Sequence, residues 1–236
     1  MWILTTYQPT TFFSLRPSNA TSSGGKTLLT PTPYAIKMGL LDAAIRTEGI
    51  SYGKQVWEWI RALALAVHLP ERAMVNNVFT RILKPPHNRT KQGFDRTIGY
   101  REYVHFVGKM RLGFEIHADS QEEQLKRLLP HITYFGKRGG FFQFLPPLQP
   151  VEALPSDFTS LVEQAEAWHI ESQLQCLDDC DAKMSFDHAD IYSGKKIRVG
   201  KERHTFLAMI PYRLRRSSRG FSDYERLIAP PAAGEN

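Results

Sequence analysis

The 236-residue chain has few cysteines, no long apolar run and no basic leader, and each absence excludes a class of protein. Two cysteines are too few for a disulfide-stapled secreted scaffold, and Cys176 and Cys180 fit a reducing compartment in which thiols stay free. No stretch approaches the roughly 18 apolar residues that a membrane span needs. The opening Met1-Trp2-Ile3-Leu4 does not resemble a signal peptide. We therefore expect a cytoplasmic protein without membrane contact.

The motifs for nucleotide hydrolysis and metal binding are incomplete. Gly24-Gly25-Lys26-Thr27 ends like a phosphate-binding loop, but the first glycine of that motif would stand at position 20, which is alanine. The residues with zinc-ligand chemistry are His169, Cys176, Cys180 and His188, and their spacing is not that of a known zinc motif. We therefore expect neither a nucleotide-hydrolysing site nor a metal or other cofactor.

The charge that the chain does carry is divided unevenly along its length. Arg81 to Arg138 holds twelve basic and six acidic residues, and Lys195 to Arg226 holds ten basic and three acidic. Between them, Val151 to Asp190 holds ten acidic residues and one lysine. This segregation predicts two basic surfaces suited to a phosphate backbone and one acidic element that faces elsewhere. A charge block can also be no more than a solvated face.

Hydrophobic periodicity and capping residues predict the elements of the first 150 residues. In chain order we expect a strand over Trp2 to Leu15, a helix from Thr32-Pro33 to Gly49, a helix over Gln55 to Leu65, strands over Ala73 to Leu83 and Tyr100 to His117, a helix begun by a Ser120 to Glu123 capping box, and a strand over Ile132 to Leu145. Apart from the extra helix, this is the ferredoxin-like order of an antiparallel sheet with two helices on one face. The polar segment His87 to Gly99 is expected to leave the sheet.

The last third of the chain has a different pattern. Asp157 to Leu174 shows apolar residues at helical spacing, and His204 to Tyr212 alternates as a strand does. We therefore expect two units. The first is a ferredoxin-like domain over residues 1–150, and the second is a C-terminal extension over 151–236 with an acidic helical part and a basic terminal strand.

Basic and aromatic residues are interleaved in two stretches, around residues 81–103 and 134–140. Cations neutralise phosphates and aromatic rings stack on unpaired bases, so this mixture is typical of single-stranded RNA binding. The alternative is core aromatics flanked by solubilising charge. The residues that we predict to bind RNA are Lys26, Arg81, Lys84, Arg89, Lys91, Arg96, Tyr100, Arg101, Lys137 and Arg138.

Three blocks in this order resemble the CRISPR-associated "Cas five" family, whose members cap the 5′ end of the guide RNA in type I Cascade complexes. The blocks are Thr30 to Ala44, Arg81 to Lys84 followed by Gly99 to Tyr103, and Ile132 to Arg138, and they cover about the first 145 residues. The resemblance implies an α+β, RNA-recognition-like fold with an antiparallel sheet, a thumb hairpin at about 84–99 and an α/β C-terminal extension.

The same resemblance implies partners and a site. It implies binding of the guide RNA through its 5′ handle, contacts with the backbone and large subunits of Cascade, and contact with target DNA through the complex. It places Tyr100, Arg101, Lys137 and Arg138 near the handle. Because neighbouring strand residues point to opposite faces, only one of Tyr100 and Arg101 lies on the face that receives RNA, and we expect it to be Tyr100.

Two alternatives stay open. One branch of the family cleaves precursor RNA, and a metal-independent endoribonuclease here would depend on His87 or Tyr100. The catalytic tyrosine, lysine and histidine of that branch have no counterparts that we can place, so we predict a non-catalytic binder. The second alternative is a protein-interaction module whose acidic region binds a basic partner and which has no RNA function.

Overall fold

The fold is α+β, as predicted, and is built from antiparallel strands and short helices. The computed structural model describes residues 1–18, 20, 25–87, 92–162 and 171–227. In chain order its elements are β1 (Trp2–Pro9), α1 (Pro33–Glu48), α2 (Ile50–Ala62), β2 (Leu65–His68), β3 (Arg72–Lys84), β4 (Asp95–Val107), β5 (Met110–Glu115), α3 (Asp119–Leu128), a 3-10 turn (Leu129–His131), β6 (Phe142–Val151), β7 (Thr159–Ser160), β8 (Gln173–Cys180), α4 (Phe186–Ala189), β9 (Arg203–Ile210), β10 (Tyr212–Ser217) and β11 (Phe221–Arg226). None of the helices in these ranges is long and apolar enough to cross a membrane.

The first sheet has the ferredoxin-like strand order. Its strands lie in the order β6-β1-β5-β2-β7, and each neighbouring pair is antiparallel. Without β7, this is the fourth, first, third and second strand of a βαββαβ unit, which confirms the predicted fold class. The outermost strand β6 carries Pro146, Pro147 and Pro150, which have no backbone N–H to offer a further strand.

Helix α1 occupies the predicted span and packs against the inner face of this sheet. The Thr32 hydroxyl accepts a hydrogen bond from the Ala35 amide at 3.1 Å, Pro33 begins the helix, and Gly49 ends it with a φ of 89°. Such a positive φ favours glycine. The apolar residues of α1 join inward-facing strand residues in one core, in which Ile36, Leu40 and Phe114 are fully buried.

The second sheet differs from the expectation. Strands β3 and β4 do not lie in the ferredoxin-like sheet but form a long hairpin that pairs with the C-terminal strands in the order β10-β11-β3-β4. The strand expected over Tyr100 to His117 is two strands, β4 and β5, separated by a turn at Gly108, whose φ is 119°. The core strand missed by the sequence analysis is β2. Its four residues follow α2 directly and consist of helix formers and valine without alternation, so the pattern places Leu65 in the helix.

Other boundaries also move. Strand β1 ends at Pro9, after which Phe13 forms an isolated bridge with Val104 of β4. Helix α3 begins at Asp119, and the Gln121 side chain accepts the backbone amides of His117 and Ala118, in place of the Ser120 to Glu123 capping box. The last core strand begins only at Phe142 because positive-φ turns at Gly136 and Gly139 break the segment expected to be extended.

The C-terminal segment contains more strand than expected. Thr159–Ser160 and Gln173–Cys180 are strands at the two ends of the expected helix, and the part of that helix over residues 163–170 lies outside the described residues. The expected strand is β9, and Tyr212 begins β10. A domain boundary at about residue 150 stays a prediction.

A short segment lies against the free edge of β4 and explains Gly25, one of the two glycines that resemble a phosphate-binding loop. We call residues 25–28 the strap. The Gly25 carbonyl accepts the Glu102 amide at 2.8 Å, and the Thr27 amide donates to the Glu102 carboxylate at 2.9 Å. A Cβ atom on Gly25 would lie 1.9 Å from the Tyr100 carbonyl oxygen. Glycine is therefore required here by the close approach of two backbones.

The C-terminal hairpin β8–β9 is held against α1 by a buried ion pair. Lys37, on the face of α1 away from solvent, places its Nζ atom 2.8 Å from a carboxylate oxygen of Asp179. The Lys37 side chain is 3% exposed and that of Asp179 19% exposed. Burial raises the pKa of the Asp179 carboxyl above its usual value, although the charge of Lys37 opposes the shift. The pair therefore defines where β8–β9 packs on α1. Without the charge of Lys37, the buried Asp179 carboxylate would be left uncompensated at a high cost in free energy.

Replacing Lys37 with methionine keeps the apolar stem and removes the charge that faces Asp179. We expect the free energy of unfolding to fall by about 3 kcal/mol at pH 8, since breaking a buried pair leaves one charge uncompensated. A carboxyl whose pKa is raised in the folded state stabilises that state less as the pH rises. The loss in the free energy of unfolding should therefore be smaller at pH 5, where Asp179 can take up a proton.

Urea unfolding of both proteins at the two pH values measures this difference. The exposed Lys54 on α2 offers the control Lys54→Met, which should change the free energy of unfolding by less than about 0.5 kcal/mol. Equal losses at pH 5 and pH 8 for Lys37→Met would contradict a partner-dependent carboxylate at Asp179.

Replacing Gly25 with alanine should push the strap away from β4. The added methyl group cannot fit beside the Tyr100 carbonyl, so we expect a loss of about 1–3 kcal/mol in the free energy of unfolding. The matched control is Gly220→Ala, because an added Cβ there meets nothing within 4 Å. Thermal unfolding of the two variants compares them directly, and identical midpoints would show that the strap does not depend on this contact.

Candidate nucleic-acid interface

A cleft of about 660 Å³ lies beside the N-terminal end of α1. Five parts of the chain line it: the segment after β1, α1 with the residues before it, β4, the loop before β6, and β9. Its basic side chains are Arg16, Arg101, Lys137 and Arg203. The described part of the lining holds one acidic side chain, Asp42, which pairs with Arg46 at 2.8 Å. Basic side chains therefore outnumber acidic ones in the lining, which suits the cleft to an anion.

The N-terminus of α1 adds to this positive potential. Thr32, Tyr34 and Ala35 line the cleft, and the first turn of the 16-residue helix carries no acidic residue. The first amides of a helix lack carbonyl partners within the helix, and the helix dipole places partial positive charge at this end. Pro33 has no N–H and the Ala35 amide already donates to the Thr32 hydroxyl, so this helix end contributes its dipole rather than a set of free amides.

Arg203 reaches the cleft from β9 and is fixed on both sides. Its guanidinium carbon lies 3.9 Å from the centre of the Tyr34 ring, and its Nη2 atom pairs with the buried carboxylate of Asp178. Burial raises the pKa of Tyr34 to about 12, although the charge of Arg203 opposes the shift. Tyr34 is thus an uncharged phenol at neutral pH, and its ring supports the cation through a cation–π contact.

Arg101 lines the cleft, whereas Tyr100 does not contribute to its lining. In the β3–β4 hairpin Tyr100 lies opposite Phe79 and Arg101 opposite Val78, so the two side chains point to opposite faces, as the alternation predicts. The Tyr100 hydroxyl donates to the Glu102 carboxylate at 2.7 Å, and its ring centre lies 5.0 Å from that of Phe79. Partial burial, followed by the bond to Glu102, raises the pKa of Tyr100 to about 12.

The loop before β6 supplies the opposite rim of the cleft. Lys137 and Tyr134 line it, and Gly136 has a φ of 70° that turns the chain between them. Arg138 packs on Tyr134: its Nε atom lies 3.4 Å from the phenol oxygen and its guanidinium 6.0 Å from the ring centre. The loop therefore places two cations and one aromatic ring at the mouth of the cleft.

The remaining predicted residues lie along the hairpin or on the strap. Arg81, Lys84 and Arg96 are exposed near the far end of β3 and β4. The five-residue separation of Arg96 from Arg101 corresponds to about 17 Å along a strand, so the far end of the hairpin does not reach the cleft. Lys26 is exposed on the strap, next to the Gly25 contact with β4. Arg89 and Lys91 lie outside the described residues.

Sequence reasoning missed Arg16, Tyr34 and Arg203. Tyr34 lies within the first block that resembles the family, Thr30 to Ala44. The sequence places it in the first turn of the helix but gives no sign that it contacts a cleft. Arg203 belongs to the basic block Lys195 to Arg226, whose charge was noted without a position relative to the sheet. The pairing of β9 with β8, and the contact of β8 with α1, bring Arg203 to the cleft. No local pattern encodes that distant contact.

The residues with metal-ligand chemistry do not assemble in the part of the chain that the structure describes. There, no three His, Cys, Asp or Glu side chains come together as a metal site would require. Cys176 and Cys180 are free thiols. His169 lies outside the described residues.

Comparison with known proteins finds similarity both in sequence and in structure. No protein-family model matches the chain. A protein of Archaeoglobus fulgidus named "CRISPR-associated protein Cas5" is 28% identical in an alignment of 212 residues that covers 87% of this chain and 91% of the relative. A solved structure titled "Crystal structure of a CRISPR protein from Archaeoglobus fulgidus" aligns over 95% of this chain and 91% of its own, with a TM-score of 0.48 at 13% identity. The similarity to the Archaeoglobus relative, which extends over most of both chains, confirms the resemblance to the CRISPR-associated Cas5 family.

Proposed function

We propose that this chain is a non-catalytic RNA-binding subunit of a type I CRISPR Cascade complex that caps the 5′ handle of the guide RNA. One observation carries the proposal: four cationic side chains from distant parts of the chain meet in one cleft at the N-terminus of α1. The name of the Archaeoglobus relative supports a place in a CRISPR complex. The partners that we propose are the guide RNA, the backbone and large subunits, and target DNA through the complex.

The chemistry of the cleft fits the handle of a single-stranded RNA. Phosphate oxygens are the natural ligands of arginine forks and of helix N-termini, and an unpaired base has a face that can stack on an exposed ring. Arg101, Lys137 and Arg203 supply the cations, and Tyr134 at the rim supplies a ring. A duplex would not offer its bases in this way.

The hairpin β3–β4 extends the proposed contact surface away from the cleft. We assign Arg101, Lys137 and Arg138 to the handle itself. Tyr100 and the exposed cations Lys26, Arg81, Lys84 and Arg96, together with Arg89 and Lys91, are proposed to contact RNA or the phosphates that continue from the cleft. From the sequence, we expect Tyr100 to lie on the face that receives RNA. The present proposal gives that position to Arg101.

The geometry gives little support to the endoribonuclease alternative. His87 follows the end of β3, whereas Tyr100 pairs with Phe79, and the strand continues for about 17 Å from Phe79 to Lys84 before it reaches His87. An acid–base pair must lie within hydrogen-bonding reach of the same phosphate. Moreover, the Tyr100 hydroxyl already donates a hydrogen bond to the Glu102 carboxylate.

The salt dependence of handle binding tests the electrostatic part of the proposal. The logarithm of the association constant should fall linearly with the logarithm of the salt concentration, by about 0.7 for each phosphate neutralised on a single strand. Replacing Arg101 or Lys137 with glutamine should therefore make the slope less steep by about 0.7. Fluorescence anisotropy with a labelled repeat-derived 5′ handle at several salt concentrations measures it.

The exposed Lys54→Gln on α2 is the matched control, because it removes the same charge from a residue that does not line the cleft. Its slope should equal that of the unchanged protein. If Arg101→Gln and Lys137→Gln also left the slope unchanged, the cleft would not be the handle site.

Incubation with repeat RNA in the presence of a chelator separates binder from nuclease. We expect the purified chain to leave the RNA intact, while binding it with the salt dependence described above. Gel analysis of end-labelled RNA provides the measurement. A site-specific cut that disappears in His87→Ala or in Tyr100→Phe would replace the binder with the endoribonuclease.

A further inference from the structure

The second sheet has one face in the core and one face towards solvent. Its inner face carries buried residues such as Val75 and Val104. On the other face, the register aligns Phe221 of β11 with Asn76 of β3, and Asn76 with Tyr103 of β4. All three are partly exposed. We call this solvent-facing side of the β10-β11-β3-β4 sheet the open face.

Two aromatic rings on the open face are therefore separated by one strand. With a strand spacing of about 4.8 Å, the backbones at Phe221 and Tyr103 lie roughly 10 Å apart. A third ring, that of His105, follows on the same side of β4 and meets Phe12 edge-on, with ring centres 5.4 Å apart. A row of rings on an antiparallel sheet is the usual platform on which unpaired bases stack.

Two arginines are fixed beside these rings by a buried carboxylate. Asp223, whose side chain is 2% exposed, accepts hydrogen bonds from Arg72 at 2.9 and 2.8 Å and from Arg216 at 3.3 Å. The guanidinium of Arg216 lies 5.6 Å from the centre of the Phe221 ring, while its side chain stays 67% exposed. One carboxylate thus orients two cations, and the group keeps a net positive charge.

This cluster stays charged over the physiological pH range. Burial alone would raise the pKa of the Asp223 carboxyl, but the hydrogen bonds and charges of Arg72 and Arg216 outweigh burial and hold the pKa below its usual value. The arginines therefore keep their partner at neutral pH, and the mostly exposed Arg216 can also donate to a phosphate oxygen.

We propose that the open face is a second binding site for an unpaired nucleic-acid strand, separate from the cleft. Bases stack on Tyr103 and Phe221, and phosphates contact Arg72 and Arg216. The chemistry is common to single-stranded RNA and single-stranded DNA, since both offer base faces and phosphates. Arg101 lies on the same side of β4 as Tyr103 and lines the cleft, so the open face adjoins the cleft along β4.

Photo-cross-linking of the full chain tests the proposal residue by residue. The probes are a short oligouridine and a short oligodeoxythymidine, each carrying 5-bromouracil, and mass spectrometry locates the adducts. We expect adducts on Tyr103 and Phe221, distinct from adducts on Tyr134 in the cleft. Adducts with the RNA probe alone or the DNA probe alone would identify the strand that the open face takes, and either supports the site.

Single substitutions then measure the contribution of each ring. Tyr103→Leu should raise the probe concentration needed for half-maximal cross-linking at Phe221 by roughly 5- to 150-fold, the range expected for one lost base stack. Cross-linking at Tyr134 should stay unchanged. The matched control is Tyr192→Leu, which removes an 88% exposed tyrosine from a distant loop and should alter neither site. Thermal unfolding checks that each variant is folded.

The outcomes distinguish this site from the cleft. Adducts on the open face without adducts in the cleft would support the second site and contradict the proposed handle site. Adducts confined to the cleft at saturating probe, or an unchanged half-maximal concentration at Phe221 in folded Tyr103→Leu, would overturn the second site.

Discussion

The docking of the C-terminal hairpin on α1 is the constraint on which the cleft depends. The buried ion pair between Lys37 and Asp179 fixes β8 against the helix, and the partner strand β9 then carries Arg203 to the ring of Tyr34. Without that contact, Arg203 would be missing from the cleft, and the ring of Tyr34 would lose the guanidinium that packs on it. Burying these two charges costs free energy. The ion pair therefore contributes by defining one docking position as well as by stabilising the fold.

The free edge of β4 is the second constraint, because it joins the two sheets. Phe13 bridges to Val104, and the strap hydrogen-bonds to Glu102, so the segment between β1 and α1 covers this part of the edge. A covered edge cannot pair with another chain. Arg16 and Arg101 both line the cleft, one from the covering segment and one from β4, so an arrangement that protects the sheet also contributes to the site.

The sequence predicts local elements better than their sheet partners. The cap at Thr32, the proline at the first helical position and the glycine at position 49 define α1 because each acts within a few residues. Strand β3 is also predicted within one residue at each end, but its place in a second sheet depends on β11, which is over a hundred residues away. Alternation of apolar and polar residues predicts that a strand exists, but it does not identify the strand with which it pairs.

The candidate site divides in the same way. Arg101 and Lys137 belong to recognisable basic and aromatic stretches, so sequence reasoning finds them. Arg203 and Arg16 reach the cleft only through tertiary contacts, and neither stands out from the other basic residues in its neighbourhood. The glycines before Lys26 are the opposite case: their spacing suggests a nucleotide loop, and the structure explains Gly25 by the approach of two backbones.

The prolines of β6 have a consequence for how copies of the chain meet one another. An unprotected edge strand is a template on which a second copy can extend the sheet, and such contacts lead to fibres. Pro146, Pro147 and Pro150 interrupt the donor row along this edge, so a second copy cannot add a continuous ladder there. The first sheet therefore ends at β6, and raising the concentration of the chain is not expected to extend it there by strand addition.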